Sequence, residues 1–386
     1  MKLKKYYGKI KDFLFSNKWI PFVIVIIADS LSFLLFYSYA YFIHIFAAVN
    51  CFLVIAVIGS LIAEKFRRWL KKNKLLLFVL IYMAVELVFI RINSTDWDYL
   101  LHIIIMINIF AILTMGLNLM VGYTNLLSLS QAAFYGIGGY LSVLALMKLK
   151  LTLIPALMFV VLGTTILSWG IGKVSIRLKG DYFILVTLGF QMIVFSILYN
   201  WIPVTKGPYG IPGIPQPELL GRLPITGTTG FGILSSVLVA LSIWFFYSII
   251  HSPFGRVLKG IRDDEIGVLA LGRNVTTYKV RAFMIGSSMA AISGFLYATY
   301  VSFIDPTSFT MNESIFIVTA VLIGGAGTIR GSIVGAIFVI VVPEMLRSLG
   351  MSSSIDANMK QIIYGLLLVF LMIFRPKGLW GDYEIR

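Results

Sequence analysis

Long apolar runs, separated by short polar breaks, dominate the pattern of this chain. They fall at about 19–38, 41–63, 75–92, 99–121, 126–147, 151–172, 183–200, 230–250, 280–301, 312–327, 331–349 and 359–374. Most approach the ~20 residues that a helix needs to cross a hydrocarbon layer about 30 Å thick. None alternates apolar and polar positions with period two, as the ~10-residue strands of a membrane barrel would. A segment standing in lipid must satisfy its own backbone, so the runs predict helices. The predicted fold is an all-α polytopic membrane protein of about 10–12 transmembrane helices. The short, Gly-rich run at 312–327 is a candidate re-entrant segment.

The polar breaks carry orientation. With the N-terminus placed inside and the runs alternating, 25 of the 32 Lys and Arg residues fall on the inner side. That bias predicts N-in and C-in termini. It also accounts for the formal charge of +15, which in a soluble chain would suggest nucleic acid. Only 13% of residues are charged, against about 25% in soluble domains, so no room remains for a sizeable soluble domain. Cys51 stands alone in an apolar run and predicts neither an internal disulfide nor a metal site. The basic start runs into a long apolar stretch without a small-residue cleavage site, which reads as a retained first span.

The texture changes along the chain. Residues 1–92 form a basic N-terminus and three ordinary spans. Residues 93–386 carry Gly, Asn, Ser and Gln inside apolar runs and form the expected functional core. The densest stretch runs from Gly116 to Tyr140, and Ile323 to Ser332 is a second Gly-rich segment. Polar groups at membrane depth are costly unless they face protein or water, and interrupted helices often line transport sites. Asn118, Asn125, Ser128, Gln131, Thr187 and Gln191 are therefore candidate pathway residues, with tight helix packing as the alternative. The loop at 201–229 holds six prolines and predicts turn chemistry, either a cap over the outer mouth or a rigid connector.

A basic inner loop extends over 252–280. Asp263 or Asp264 is placed to cap a short helix. Ile266, Leu269 and Ala270 then share one apolar stripe, Gly272 ends the helix, and Thr276 or Thr277 caps the next. Such a helix suits docking to a partner. The adjacent acids Asp263, Asp264 and Glu265 favour a protein over anionic lipid. No Gly-x-x-x-x-Gly-Lys-[Ser/Thr] loop is present, the nearest fragment being Gly172-Lys173-Val174, so ATP hydrolysis is expected on another subunit. His44, His102 and His251 lie far apart, and no nucleophile–base or metal constellation is visible. The chain is expected to be no enzyme and to carry no cofactor. Asp29 and Glu86 lie mid-span and would be the charge carriers of a competing reading, an ion-coupled secondary transporter. Glu344, Arg347 and Pro343 suggest a kink with a local ion pair.

Several of these stretches resemble the branched-chain amino acid permeases of ABC importers. They are Gly116 to Tyr140, Arg177 to Phe183 with Thr187 to Phe190, Ser252 to Gly272, Tyr278 to Phe283, Ser293 to Ala298, Ile323 to Gly335 and Phe374 to Leu379. Asn125 and Gln131 depart from the Gly and His expected in that segment. The resemblance implies translocation of leucine, isoleucine and valine, with urea and short-amide permeases as similar relatives. It implies two ABC ATPase subunits carrying ATP and Mg, a second homologous permease and an external substrate-binding protein. It further implies a multi-pass chain in the plasma (inner) membrane of a prokaryote with both termini cytoplasmic, and no nucleic acid. Residues Arg262, Asp263, Asp264, Glu265, Ile266 and Leu269 would couple to the ATPase.

Overall fold

The computed structural model describes residues 97–178, 180–219, 223–224, 227–348, 365–366 and 378–381. The chain divides into two compact units, Met1–Asp96 and Trp97–Arg386, and the described residues belong to the second. Asp29, His44, Cys51, Glu86 and the three predicted spans before residue 93 lie outside the described residues, as does the side chain of Arg347.

The unit is helical. Helix α1 (Trp97–Thr124) is followed by α2 (Gln131–Val143), which runs into one π-type turn at Leu144–Lys148. Then come α3 (Leu153–Ser175), α4 (Asp181–Asn200), the single turn α5 (Ile202–Thr205) and three two-residue strands, β1 (Ile211–Pro212), β2 (Glu218–Leu219) and β3 (Leu223–Pro224). The order continues α6 (Gly227–His251), α7 (Pro253–Asp263), α8 (Glu265–Ala270), α9 (Val275–Val301), β4 (Phe303–Ile304), α10 (Met311–Gly324) and α11 (Ile329–Ser348). Among the described residues, α1, α3, α4, α6 and α9 are long and apolar enough to cross a membrane. At 1.5 Å per residue α10, with 14 residues, spans only about 21 Å and falls short of a crossing.

Helices α1 and α9 form the centre, each 72% buried over its most apolar stretch. Small residues make the crossing possible. A Cβ on Gly116 would sit 2.6 Å from the Gly286 carbonyl oxygen, and one on Gly286 would sit 2.5 Å from the Gly116 oxygen. In lipid such close approach is what holds helices together, because burying apolar surface gains little there. Helix α3 buries a single stripe of mostly small residues, Ala156, Val160, Thr164, Ser168 and Gly172, and leaves most of its other residues partly or fully exposed.

Two regions differ from the sequence expectation. The apolar run beginning at 126 does not start a helix there, since residues 125–130 form no regular structure and α2 begins at Gln131. The cause is local. Asn125 takes the left-handed conformation (φ 55°), which Asn tolerates better than most residues, and the Ser128 hydroxyl accepts the Ser130 N–H at 3.3 Å. The Pro-rich loop is more ordered than turn chemistry alone predicts. Its strand β1 pairs antiparallel with β4, and the Ser302 carbonyl accepts the N–H groups of Gly213 and Ile214 at 3.0 and 3.3 Å. The loop is thereby tied to the end of α9.

Candidate functional site

The break between α1 and α2 gathers most of the polar residues singled out above. Asn118 is fully buried. Its amide donates to the Thr328 carbonyl at 2.8 Å and to the Ser332 hydroxyl at 2.7 Å, and its oxygen accepts the Gly327 N–H at 2.8 Å. Ser128 meets Ser130 hydroxyl to hydroxyl at 2.8 Å. The Leu129 N–H donates to the Thr187 hydroxyl at 3.1 Å, so α4 closes the break from the side. Gln191, also on α4, donates to the Phe309 carbonyl at 2.8 Å and accepts from Ser314 at 3.4 Å. Ser314 in turn accepts the Ala132 N–H at 3.1 Å. Asn125 is exposed, whereas the other five candidates are buried.

Gln131 is the exception to this saturation. Its amide nitrogen reaches the carbonyls of Leu113 and Gly286 at 3.3 and 3.2 Å. Its buried amide oxygen has no hydrogen-bond partner among the described residues, and neither has the hydroxyl of Ser287, next in chain to Gly286. A buried polar atom left unpaired costs about 1–3 kcal/mol, so the Gln131 oxygen marks a place at the helix break where water or a polar cargo would be welcome, while the unpaired hydroxyls of Tyr140, Thr164 and Ser175 belong to other helix faces.

A second constellation sits at the α7–α8 corner. Ser252 caps α7, and the Asp264 carboxylate caps α8 by accepting the Gly267 N–H at 3.0 Å. Gly272 (φ 74°) follows the end of α8. The next cap is Asn274, which accepts the Thr277 N–H at 3.1 Å; the sequence pointed instead to Thr276 or Thr277, but the helix already begins at Val275, so both threonines lie in its first turn and Thr277 supplies the capped donor. Ile261, Val268 and Val275 form the inward core of the corner. Ile266, Leu269 and Leu271 point away from it, 78%, 51% and 81% exposed. The Glu265 carboxylate is held by Lys279 at 2.7 Å, while Asp263 is largely exposed.

Arg262 joins the two constellations. Its side chain is only 14% exposed; it pairs with Asp263 at 2.8 Å and donates to the Gly122 carbonyl, in the last turn of α1, at 3.1 Å. One residue on, Tyr123 donates to the Gly327 carbonyl at 2.6 Å, stacks edge-on to Phe246 and lies under the Lys259 ammonium at 5.7 Å. Gly122 cannot carry a side chain, because a Cβ would lie 2.2 Å from the Gly327 nitrogen. Sequence reasoning passed over Tyr123 and Ser314. A polar tip inside an otherwise apolar helix was the available signal for both. Elsewhere, His102 contacts Tyr300 at 2.8 Å, His251 contacts the Tyr247 carbonyl at 2.9 Å, and the Tyr99 hydroxyl is hydrogen-bonded to Glu344. Among the described residues no group of His, Cys, Asp and Glu is placed to hold a metal ion.

Residues 99–372 match the family described as the permease component of branched-chain amino acid transport systems. The chain belongs to this family. The permease is 33% identical over 332 residues to the high-affinity branched-chain amino acid transport system permease protein LivM of Salmonella typhimurium, covering 80% of this chain and 75% of that one. It is 24% identical over 295 residues to the corresponding LivH protein of Escherichia coli, covering 72% and 92%. It is 29% identical over 197 residues to the autoinducer 2 import system permease protein LsrC of Escherichia coli, covering 50% and 54%. No solved structure matches. The permease is thus a multi-pass membrane subunit of ABC transport, and not an enzyme.

Proposed function

We propose that the permease imports leucine, isoleucine and valine across the inner membrane of a prokaryote, receiving them from an external binding protein. It works beside a second homologous permease, on two ATPases that hold ATP and Mg. Both termini face the cytoplasm, residues 1–92 supply a basic N-terminus and three further transmembrane helices, and residues 93–386 are the permease core. The observation that carries this reading is the α7–α8 corner. Its frame is locked inward by Arg262, Lys279 and the Ile261–Val268–Val275 cluster, while Ile266, Leu269, Asp263 and Asp264 are presented outward. An exposed apolar pair flanked by acids fits a groove on a partner protein.

In this mechanism the ATPases push the corner when ATP closes their dimer. Arg262 passes the displacement to the Gly122 carbonyl, and Tyr123 passes it to the Gly327 loop. The break at 125–130, with its unpaired Gln131 oxygen, then opens and closes as the helices rock. Asn118, Asn125, Ser128, Thr187 and Gln191 are the residues of that moving seam, so they line or hinge the pathway.

The test is a triple variant, Asp263→Ala with Asp264→Ala and Glu265→Ala, in the transporter reconstituted with its partners. Leucine uptake is expected to fall to background while the ATPases continue to hydrolyse ATP. Unchanged uptake would sink the assignment of the corner. Uptake of urea in place of leucine by the unaltered transporter would move the substrate to the short amides and leave the coupling intact.

A further inference from the structure

A cleft of about 640 Å³ opens on the outer surface of the bundle between α3, α6 and α9. Its walls are apolar and include Leu241, Phe245, Met284, Thr165 and Ser288; the one charged lining residue is Arg281. The two hydroxyls, Thr165 and Ser288, satisfy each other at 2.8 Å across the cleft floor. They offer little to a polar guest. Arg281 is exposed, and its guanidinium has no hydrogen-bond or ion-pair partner among the described residues.

The cleft has a direction. Along α9 its lining runs from Arg281 to Ile292, eleven residues, which at 1.5 Å each is about 16 Å. That is close to the depth of one leaflet of a hydrocarbon layer about 30 Å thick. Helix α3 runs antiparallel to α9 here, with Thr165 opposite Ser288 and Gly172 against Phe283. Its exposed Lys173 and Arg177 therefore lie toward the Arg281 end. Phe254 of α7 lines that same end and stacks on Tyr278 at 5.6 Å.

We propose that this cleft holds one anionic phospholipid, with an acyl chain along the apolar walls and its phosphate on Arg281. Cation, length and polarity all match such a molecule. A leaflet-deep apolar slot takes the chain, and the Arg281 guanidinium, the one charge in the cleft lining, takes the phosphate by charge-assisted hydrogen bonds. A bare phosphate has no use for the slot, and a zwitterionic lipid gains less from the cation. The lipid would wedge α3 and α6 against α9 immediately above α7. This site is independent of the proposed substrate.

The experiment is native mass spectrometry of the purified full-length chain, titrated with phosphatidylglycerol or phosphatidylcholine carrying the same acyl chains. One phosphatidylglycerol is expected to bind about tenfold more tightly than phosphatidylcholine. Arg281→Gln should erase that preference, and Arg281→Lys should keep most of it. Ser288→Phe, which fills the slot, should weaken both lipids alike; should that variant fail to fold, the Gln and Lys pair decides alone. A preference unchanged in Arg281→Gln overturns the proposal. So does displacement of the lipid by millimolar inorganic phosphate, which would make the slot irrelevant.

Discussion

Helices α1 and α3 are written in nearly the same apolar alphabet, with mean hydropathies of 2.4 and 1.9, yet α1 is 72% buried and α3 only 22%. In water such a difference would follow from hydrophobicity. In lipid it follows from where small and polar residues stand. Helix α1 has Asn108, Thr114, Gly116, Asn118 and Gly122 spread around its axis and finds protein on every side. In α3 the small and polar residues that are buried fall on one stripe, and bulky residues such as Leu162, Ile166 and Trp169 stand exposed. Close approach and hydrogen bonding decide which helix is central, because neighbouring lipid already offers the apolar contacts.

The comparison can be broken hardest at the α1–α9 crossing. Gly286→Leu should prevent assembly of the bundle, leaving no monodisperse protein on size-exclusion chromatography, since the new side chain meets backbone at 2.5 Å. The matched change in α3, Gly170→Leu, meets nothing within 4 Å and should leave the elution profile unaltered. Next in size is Asn118→Ala, which removes three hydrogen bonds to the Gly327–Ser332 segment and should lower stability by about 2 kcal/mol, read as a lower melting temperature. Arg262→Gln should cost less stability but reduce transport about tenfold, the weight of one buried charge-assisted bond to the α1 terminus. At the small end, Leu162→Ala on the exposed face of α3 should stay within about 0.5 kcal/mol of the parent. A large loss there would mean that α3 is covered by another chain.

The five full-length apolar helices were legible in the sequence because a crossing helix must be about 20 apolar residues long whatever it packs against. The capped corner was legible too, since Asp264 and Gly272 mark helix ends by local chemistry. What escaped was pairing at a distance. Nothing near Asn118 announces that its partners stand 209 and more residues away, at Gly327, Thr328 and Ser332. The same holds for Arg262 and Gly122, 140 residues apart. The start of α2 was misread for a related reason: Leu126 and Leu127 continue the apolar run, and only the conformation of Asn125 and the Ser128 turn show that the backbone has left the helix.

The turn between α10 and α11 has a partner from far along the chain. The Leu379 N–H donates to the Ile323 carbonyl and that of Trp380 to Gly324, both at 2.9 Å, and the Thr328 hydroxyl donates to the Trp380 carbonyl at 2.7 Å. Through Gly327 that turn also grips Asn118 and Tyr123. The ribosome makes α1 first and residue 380 roughly 250 residues later, a delay of tens of seconds at about 5–20 residues per second. The Gly-rich turn is itself made only about 50 residues before Trp380, and over that stretch its carbonyls stay unfilled, so the final seating of α1 waits on a segment made long after it. A chain interrupted shortly before Gly378 would therefore leave the α10–α11 turn without these three hydrogen bonds, even with every helix from α1 to α11 already made.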